Sequence, residues 1–226
     1  KKGDLHNDVS VLISEWADGG DLLEYLRKNM DKMTLKDWRV ILFQIISVLA
    51  VIQAKYPGFR HNDLKANNIL IQNIEARNKN NKFKYKINGN VYIVPNIGIQ
   101  IKIWDFDFSC IDGIVENTKV NADWTDKINI SSAKNKYYDV HYFLNTLTRK
   151  GFLPDFWDIQ EIPKQVKEFF ARIIPEQYRN GDNVAERGRL LVNDEFITPN
   201  EILVNDPFFN KLRPIYEATE NKESSS

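Results

Sequence analysis

The chain has 226 residues, 42% of them hydrophobic, which is enough for one sizeable core or two small ones. Lys plus Arg and Asp plus Glu stand at 31 each, so no net charge steers the chain toward nucleic acid or an anionic membrane. Cys110, the single cysteine, excludes an intrachain disulfide and points to a reducing compartment, and the longest apolar stretch, Val40 to Ile52, falls short of the roughly 20 residues a bilayer needs.

Val9 to Trp16 is rich in Val and Ile and predicts a short strand, broken by Asp18-Gly19-Gly20-Asp21. Leu22, Leu23, Tyr25 and Leu26 follow at helical spacing. Thr34-Leu35-Lys36-Asp37 has the form of a capping box with Asp in place of Glu or Gln. It opens a long helix to about Lys55, apolar nearly all round and stopped by Pro57-Gly58. Asn68 to Gln72 predicts a strand, and the polar residues 73–82 a surface segment. Lys82 to Ile87 and Val91 to Val94 flank Asn88-Gly89, a strong hairpin signal. Ile99 to Trp104 predicts another strand.

Residues 109–136 show no sustained period and predict a loop. Helices are expected over Tyr137 to Arg149, with Val140, Phe143, Leu144 and Leu147 on one face, and from Pro163 to Pro175, with Val166, Phe169, Phe170 and Ile173 on one face. A further helix opens at the capping box Thr198-Pro199-Asn200-Glu201. The tail 217–226 reads as disordered.

Two segments carry chemistry. His61-Asn62-Asp63-Leu64-Lys65-Ala66-Asn67-Asn68-Ile69-Leu70 precedes a strand, and Ile103-Trp104-Asp105-Phe106-Asp107 ends one. Asp63 is a carboxylate in a polar loop, with Lys65 able to point to the same side. Asn68 and Asp105 offer the oxygen ligands that magnesium prefers. Alone, each is as easily a loop with Asx turns. His61 reads as a packed, hydrogen-bonded residue and Cys110 as a small buried hydrophobe. His6 and His141 receive no role.

Together the two segments resemble the catalytic loop and metal-binding segment of a protein kinase. The resemblance runs from about Val9 to Leu212. It implies an α+β fold, the kinase-like C-terminal lobe, mainly α-helical with short β-hairpins. In that likeness residues 1–17 are the last strand of the N-terminal lobe and the hinge. The C-terminal lobe fills 18–216, with a hairpin insertion at 73–100 and an activation segment near 105–136. Asp63 is the base, Lys65 stabilises the transferring phosphate, and Asn68 and Asp105 hold Mg2+. Ser14 is similar to a gatekeeper. Glu15 and Ala17 would bond the adenine of ATP through backbone groups, Asp21 the ribose, and Leu70 would form the adenine floor. Asp139 resembles the buried carboxylate that braces the catalytic loop. Lys65 favours Ser/Thr acceptors.

The chain also departs from the pattern. Asn62 replaces an Arg that receives an activating phosphate, which argues against that control. Asp107 replaces a Gly, removing backbone freedom and adding a carboxylate. No Ala-Pro-Glu precedes residue 137. No Gly-rich phosphate-covering loop precedes Val9, so the 226-residue chain alone is expected to bind ATP poorly. Asn67-Asn68-Ile69-Leu70, Val94-Pro95-Asn96-Ile97-Gly98 and Trp104-Asp105-Phe106-Asp107-Phe108-Ser109 resemble divergent kinases of large DNA viruses.

The reading is therefore a protein serine/threonine kinase using ATP and Mg2+, with a protein substrate and no nucleic-acid or membrane partner. Its expected location is the cytoplasm, or the host cytoplasm or virion if viral. A pseudokinase or docking module without catalysis, and a small-molecule phosphotransferase, are the alternatives.

Overall fold

The structure is a computed structural model that describes residues 13–74 and 81–214. It is a mixed fold of helices and short antiparallel strands, compatible with the kinase-like expectation. Helix α1, Leu22–Asn29, starts where the Asp21 side chain accepts from the Glu24 amide, and buries Leu22, Leu23 and Leu26. Helix α2, Leu35–Lys55, has the expected capping box: Thr34 N donates to the Asp37 carboxylate (2.8 Å) and Asp37 N to Thr34 Oγ1 (3.3 Å). Its middle is buried on all sides. Gln44, the polar break in this run, accepts from Ile101 N (2.9 Å) and so stitches α2 to a neighbouring strand.

Strand β1, Phe59–Arg60, precedes the catalytic-loop segment; β2, Ile69–Asn73, follows it. β3, Lys82–Ile87, and β4, Asn90–Pro95, form the expected hairpin, with Asn88 and Gly89 at φ 47° and 87°. The hairpin folds back on α2: Tyr85 and Tyr92 lie 5.3 and 5.1 Å from the Phe43 ring. β5, Ile99–Ile103, pairs with β2 in the register Ile69↔Ile103.

Residues 109–136 hold more structure than the aperiodic sequence predicts. β6, Cys110–Ile111, pairs with β1, and a 3-10 turn at Thr118–Asn121 leads into the single turn α3, Asp123–Asp126. Elements this short leave no period to detect.

α4, Tyr138–Leu147, is buried along its whole length, not on one face as expected, because it runs through the middle of the core. α5, Lys164–Ile173, buries the four predicted apolar residues. α6, Pro199–Asn205, has its capping box in place and packs on α2.

The strand expected over Val9 to Trp16 is a correction. Val9 to Leu12 lie outside the described residues, and Ile13 to Trp16 form no strand. Ile13 and Trp16 are 91% and 83% exposed there, so no described neighbour holds this segment in a ladder. The tail 217–226, His6 and residues 75–80 also lie outside the described residues. No described helix is long and apolar enough to cross a membrane.

Candidate active site

The site begins with a buried carboxylate. Asp139, near the start of α4, accepts from the backbone amides of His61 (2.8 Å) and Asn62 (2.9 Å). Burial pushes the Asp139 carboxyl above its ordinary range, and the neighbouring His61 ring and Arg60 guanidinium, with the two amides, draw it part of the way back. The loop backbone is thus fixed to the central helix. Asn62 takes φ 65°, a left-handed conformation that Asn tolerates better than most residues.

His61 is a packed residue. Its Nδ1 accepts from Asp63 N (3.3 Å) and its Nε2 lies 2.9 Å from the Trp104 carbonyl, which fits a neutral ring with the proton on Nε2. Trp104 N in turn donates to the Asn68 carbonyl (2.9 Å). Both backbone groups of Trp104 are therefore tied to the catalytic-loop segment, on either side of Asp63. Asp105 follows immediately, exposed and at φ 61°.

The loop side chains converge on Asp63. Lys65 Nζ donates to Asp63 Oδ2 (2.8 Å). Asn68 Nδ2 donates to the same oxygen (3.0 Å) and to the Asp63 carbonyl (2.9 Å). With the amide nitrogen engaged, the Asn68 amide oxygen is left as an acceptor. Among the described residues no protein donor meets it, or the Asp105 carboxylate.

A fourth group arrives from far along the chain. Arg189 is buried and ion-paired with Asp63 Oδ1; it also donates to the Asn62 carbonyl and lies 3.2 Å from the Tyr138 hydroxyl. Its guanidinium sits over the Tyr142 ring, 4.1 Å from the centroid. Burial alone would lower its pKa, but Tyr138, Tyr142 and Asp63 together hold it above the ordinary value. The sequence gives no sign of this residue. It stands 126 positions from Asp63, and no motif surrounds it.

Asn62, the departure from Arg, is a clamp. Its Nδ2 donates to the carbonyls of Phe108 and Ser131 (both 3.0 Å), binding the loop to both ends of the segment after Asp105. Asp107, the departure from Gly, pairs with Lys119 and does not join Asp105; its carbonyl accepts from Asn117 Nδ2 (2.9 Å). Within residues 105–107 the left-handed residue is Asp105, so the freedom lost at 107 is not used here.

The expected nucleotide residues lie around β2. Gly19 N donates to the Ile71 carbonyl (2.8 Å) and Ile71 N to the Gly20 carbonyl (2.9 Å), which sets Asp21 opposite Leu70 as a bridge pair. Glu15 is exposed, its carboxylate bonded to Lys102 (3.2 Å) and Gln72 (3.3 Å); the Lys102 bond first, then Gln72, lowers its pKa. Among the described residues neither the Glu15 carbonyl nor the Ala17 amide has a backbone partner. Ser14 is exposed.

The described residues contain no cluster of three or more His, Cys, Asp or Glu able to hold a metal by itself. An amide oxygen from Asn68 and a carboxylate from Asp105 nevertheless fit magnesium, which binds through one or two protein groups plus phosphates and water.

Residues 28–210 match the family model described as poxvirus serine/threonine protein kinase. Over 214 residues the chain is 54% identical to the putative serine/threonine-protein kinase R400 of Acanthamoeba polyphaga mimivirus, covering 93% of this chain and 46% of that protein. It is 31% identical over 188 residues to the putative serine/threonine-protein kinase R301 of the same virus, with 74% and 46% covered. Over 121 residues it is 30% identical to the serine/threonine-protein kinase haspin of Bos taurus, covering 53% and 15%. The chain thus spans about half the length of these two mimivirus relatives. The match over residues 28–210 takes in the whole constellation from Asp63 to Arg189, and by it the chain belongs to the poxvirus serine/threonine protein kinase family.

Proposed function

We propose that this chain forms the C-terminal lobe of a protein serine/threonine kinase that moves the ATP γ-phosphate to a protein hydroxyl. The observation that carries the proposal is the loop around Asp63. One carboxylate oxygen is held by Lys65 and Asn68, the other by Arg189, and the backbone on either side is tied to Asp139 and Trp104.

Phosphoryl transfer asks a protein mainly for positioning and charge. Asp63, locked by three donors, keeps one orientation and accepts the proton of the incoming hydroxyl as its bond to the γ-phosphorus forms and the β–γ bond breaks, with ADP leaving. Lys65, on Asp63 in this structure, can turn its ammonium toward the transferring phosphate oxygens. Asn68 and Asp105 are the residues that would hold magnesium, which when bound neutralises phosphate charge. The Glu15 carbonyl and the Ala17 amide, lacking described backbone partners, would take the adenine. Asp21 would take the ribose, and Leu70, opposite it, would lie under the base. The Lys65 position, with the names of the relatives, supports Ser/Thr acceptors.

The test is phosphate transfer from γ-labelled ATP by the natural chain containing these residues, wild type against Asp63→Asn. The expected loss is on the order of 100-fold or more. Equal transfer by both would remove Asp63 as the base and with it this mechanism.

A further inference from the structure

Beside the catalytic loop lies a cavity of about 560 Å³, running between Lys65, the end of α4 and the turn at 186–187. Four cations line it: Lys65, Arg149, Lys150 and Arg187. Glu186 is the one carboxylate, and the rest of the lining is uncharged. A second cavity of about 550 Å³ contains Asp63 and Arg189 and shares Lys65, Tyr142, Glu186 and Arg187 with the first. A chain presenting a hydroxyl to Asp63 would therefore lay an adjacent residue in the basic cavity.

Of these four cations Lys65 is paired with Asp63, and among the described residues the other three have no carboxylate partner. Among the described residues Arg149 is bound by neutral oxygens alone, those of Asn180 (2.9 Å), Asn145 (3.3 Å) and the Arg179 carbonyl. Arg27 donates to the carbonyls of Gly151 and Phe152, both on the cavity wall (2.7 Å each). Lys150 and Arg187 are exposed and make no side-chain hydrogen bond or ion pair among the described residues. Glu186, next to Arg187, makes none either. Excess cations facing one cleft select an anionic partner and repel a cationic one.

We infer that this cavity binds an anionic group, a carboxylate or a phosphate, carried by the protein substrate within a few residues of its accepting hydroxyl. The inference rests on the kinase reading and names the substrate class for it. Arg187 and Lys150, whose donors are open, make the direct contacts. Arg149 contributes charge from behind them.

The experiment uses the natural chain with fluorescent Ser peptides whose flanking positions carry Asp, phosphoserine, Ala or Arg in turn. Both anisotropy binding and phosphate transfer are read. The expected result is at least about tenfold higher kcat/KM for an acidic or phosphorylated peptide than for the Ala peptide, with Arg peptides poorest. Asp against phosphoserine separates the two sources of charge. The double variant Lys150→Glu/Arg187→Glu is expected to reverse the acidic-to-basic ratio; both residues are exposed, so folding is spared. Equal binding of acidic, neutral and basic peptides, or a ratio unmoved by the double variant, overturns the inference. Tight binding of acidic peptides with no transfer to any of them keeps the cavity and sinks the phosphotransfer reading instead.

Discussion

Arg189 and Asp63 form a buried ion pair at the centre of the site, with the guanidinium also on the Asn62 carbonyl and over the Tyr142 ring. A carboxylate held by three donors keeps one orientation. Breaking such a pair strands a buried charge, at a cost of about 3–5 kcal/mol. Arg189→Lys keeps the charge but loses the planar fork that reaches Asn62 and Asp63 together. The variant is expected to fold with a lowered Tm and to lose roughly tenfold or more in kcat, while the KM for ATP stays within about twofold. A fall in ATP affinity equal to the fall in kcat would show that Arg189 supports the lobe as a whole and does not position Asp63.

Asn62 leads to a second prediction. It ties the loop to Phe108 and Ser131 without any phosphate, and Arg60 reinforces the same region through Ser131 (2.9 Å) and the Asn129 carbonyl (2.6 Å). The segment after Asp105 is therefore held by a short amide where the family pattern has an Arg. Asn62→Ala leaves the carbonyls of Phe108 and Ser131 without their donor and exchanges a residue suited to φ 65° for one that is not. Destabilisation of about 2–3 kcal/mol is expected, with faster hydrogen exchange at 106–131. Phosphatase treatment of wild type should leave transfer unchanged. A phosphatase-sensitive activity would contradict this account.

Much of this arrangement was legible in the sequence, for reasons that differ from residue to residue. Asn88-Gly89 and the two capping boxes are short-range signals, set by φ preferences and by hydrogen bonds three residues apart, and they appear where expected. The Asp63–Asn68 spacing is local too. Arg189 is not legible, because its meaning lies in a partner 126 residues away. The burial of Asp139 was expected from the resemblance, but the all-round burial of α4 was missed because His141 and Asn145 look like a polar face. Each is a buried polar residue with partners inside the protein. The two-residue strands β1 and β6 are fixed by the loops they join and leave no pattern of their own.

Gly19 supports a third prediction. A Cβ there would stand 2.6 Å from Ile71 Cγ2 and 2.8 Å from the Ile71 carbonyl oxygen. The close approach is what allows residues 19–20 to bond β2 and bring Asp21 opposite Leu70. Gly19→Ala must push the segment off the strand. The expected cost is about 1–3 kcal/mol of stability, together with a weakened nucleotide affinity. Titration of a fluorescent ATP analogue against the natural chain checks it: unchanged affinity would mean that the Asp21–Leu70 register does not matter to the nucleotide.

His141 yields a pH dependence. The ring is buried in α4, with Nε2 at 2.5 Å from the Tyr178 carbonyl and Nδ1 without a partner among the described residues. The neutral tautomer with its proton on Nε2 satisfies that carbonyl, whereas a second proton would put an unpaired N–H in the core. Burial lowers the pKa from 6.5 to about 4, with the nearby Arg149 charge acting in the same sense and the Tyr178 bond opposing. The unfolded chain therefore binds a proton near its ordinary pKa that the folded chain refuses until about pH 4. The contribution is fully present above the unfolded value and is lost as pH falls toward the folded one. The loss attributable to this residue is about 3 kcal/mol across that window. Urea melts between pH 7 and pH 4.5 should show the wild type losing stability, with His141→Gln, which cannot take up the proton, showing a slope shallower by up to one proton. Equal slopes in the two proteins would mean that another group governs the acid transition.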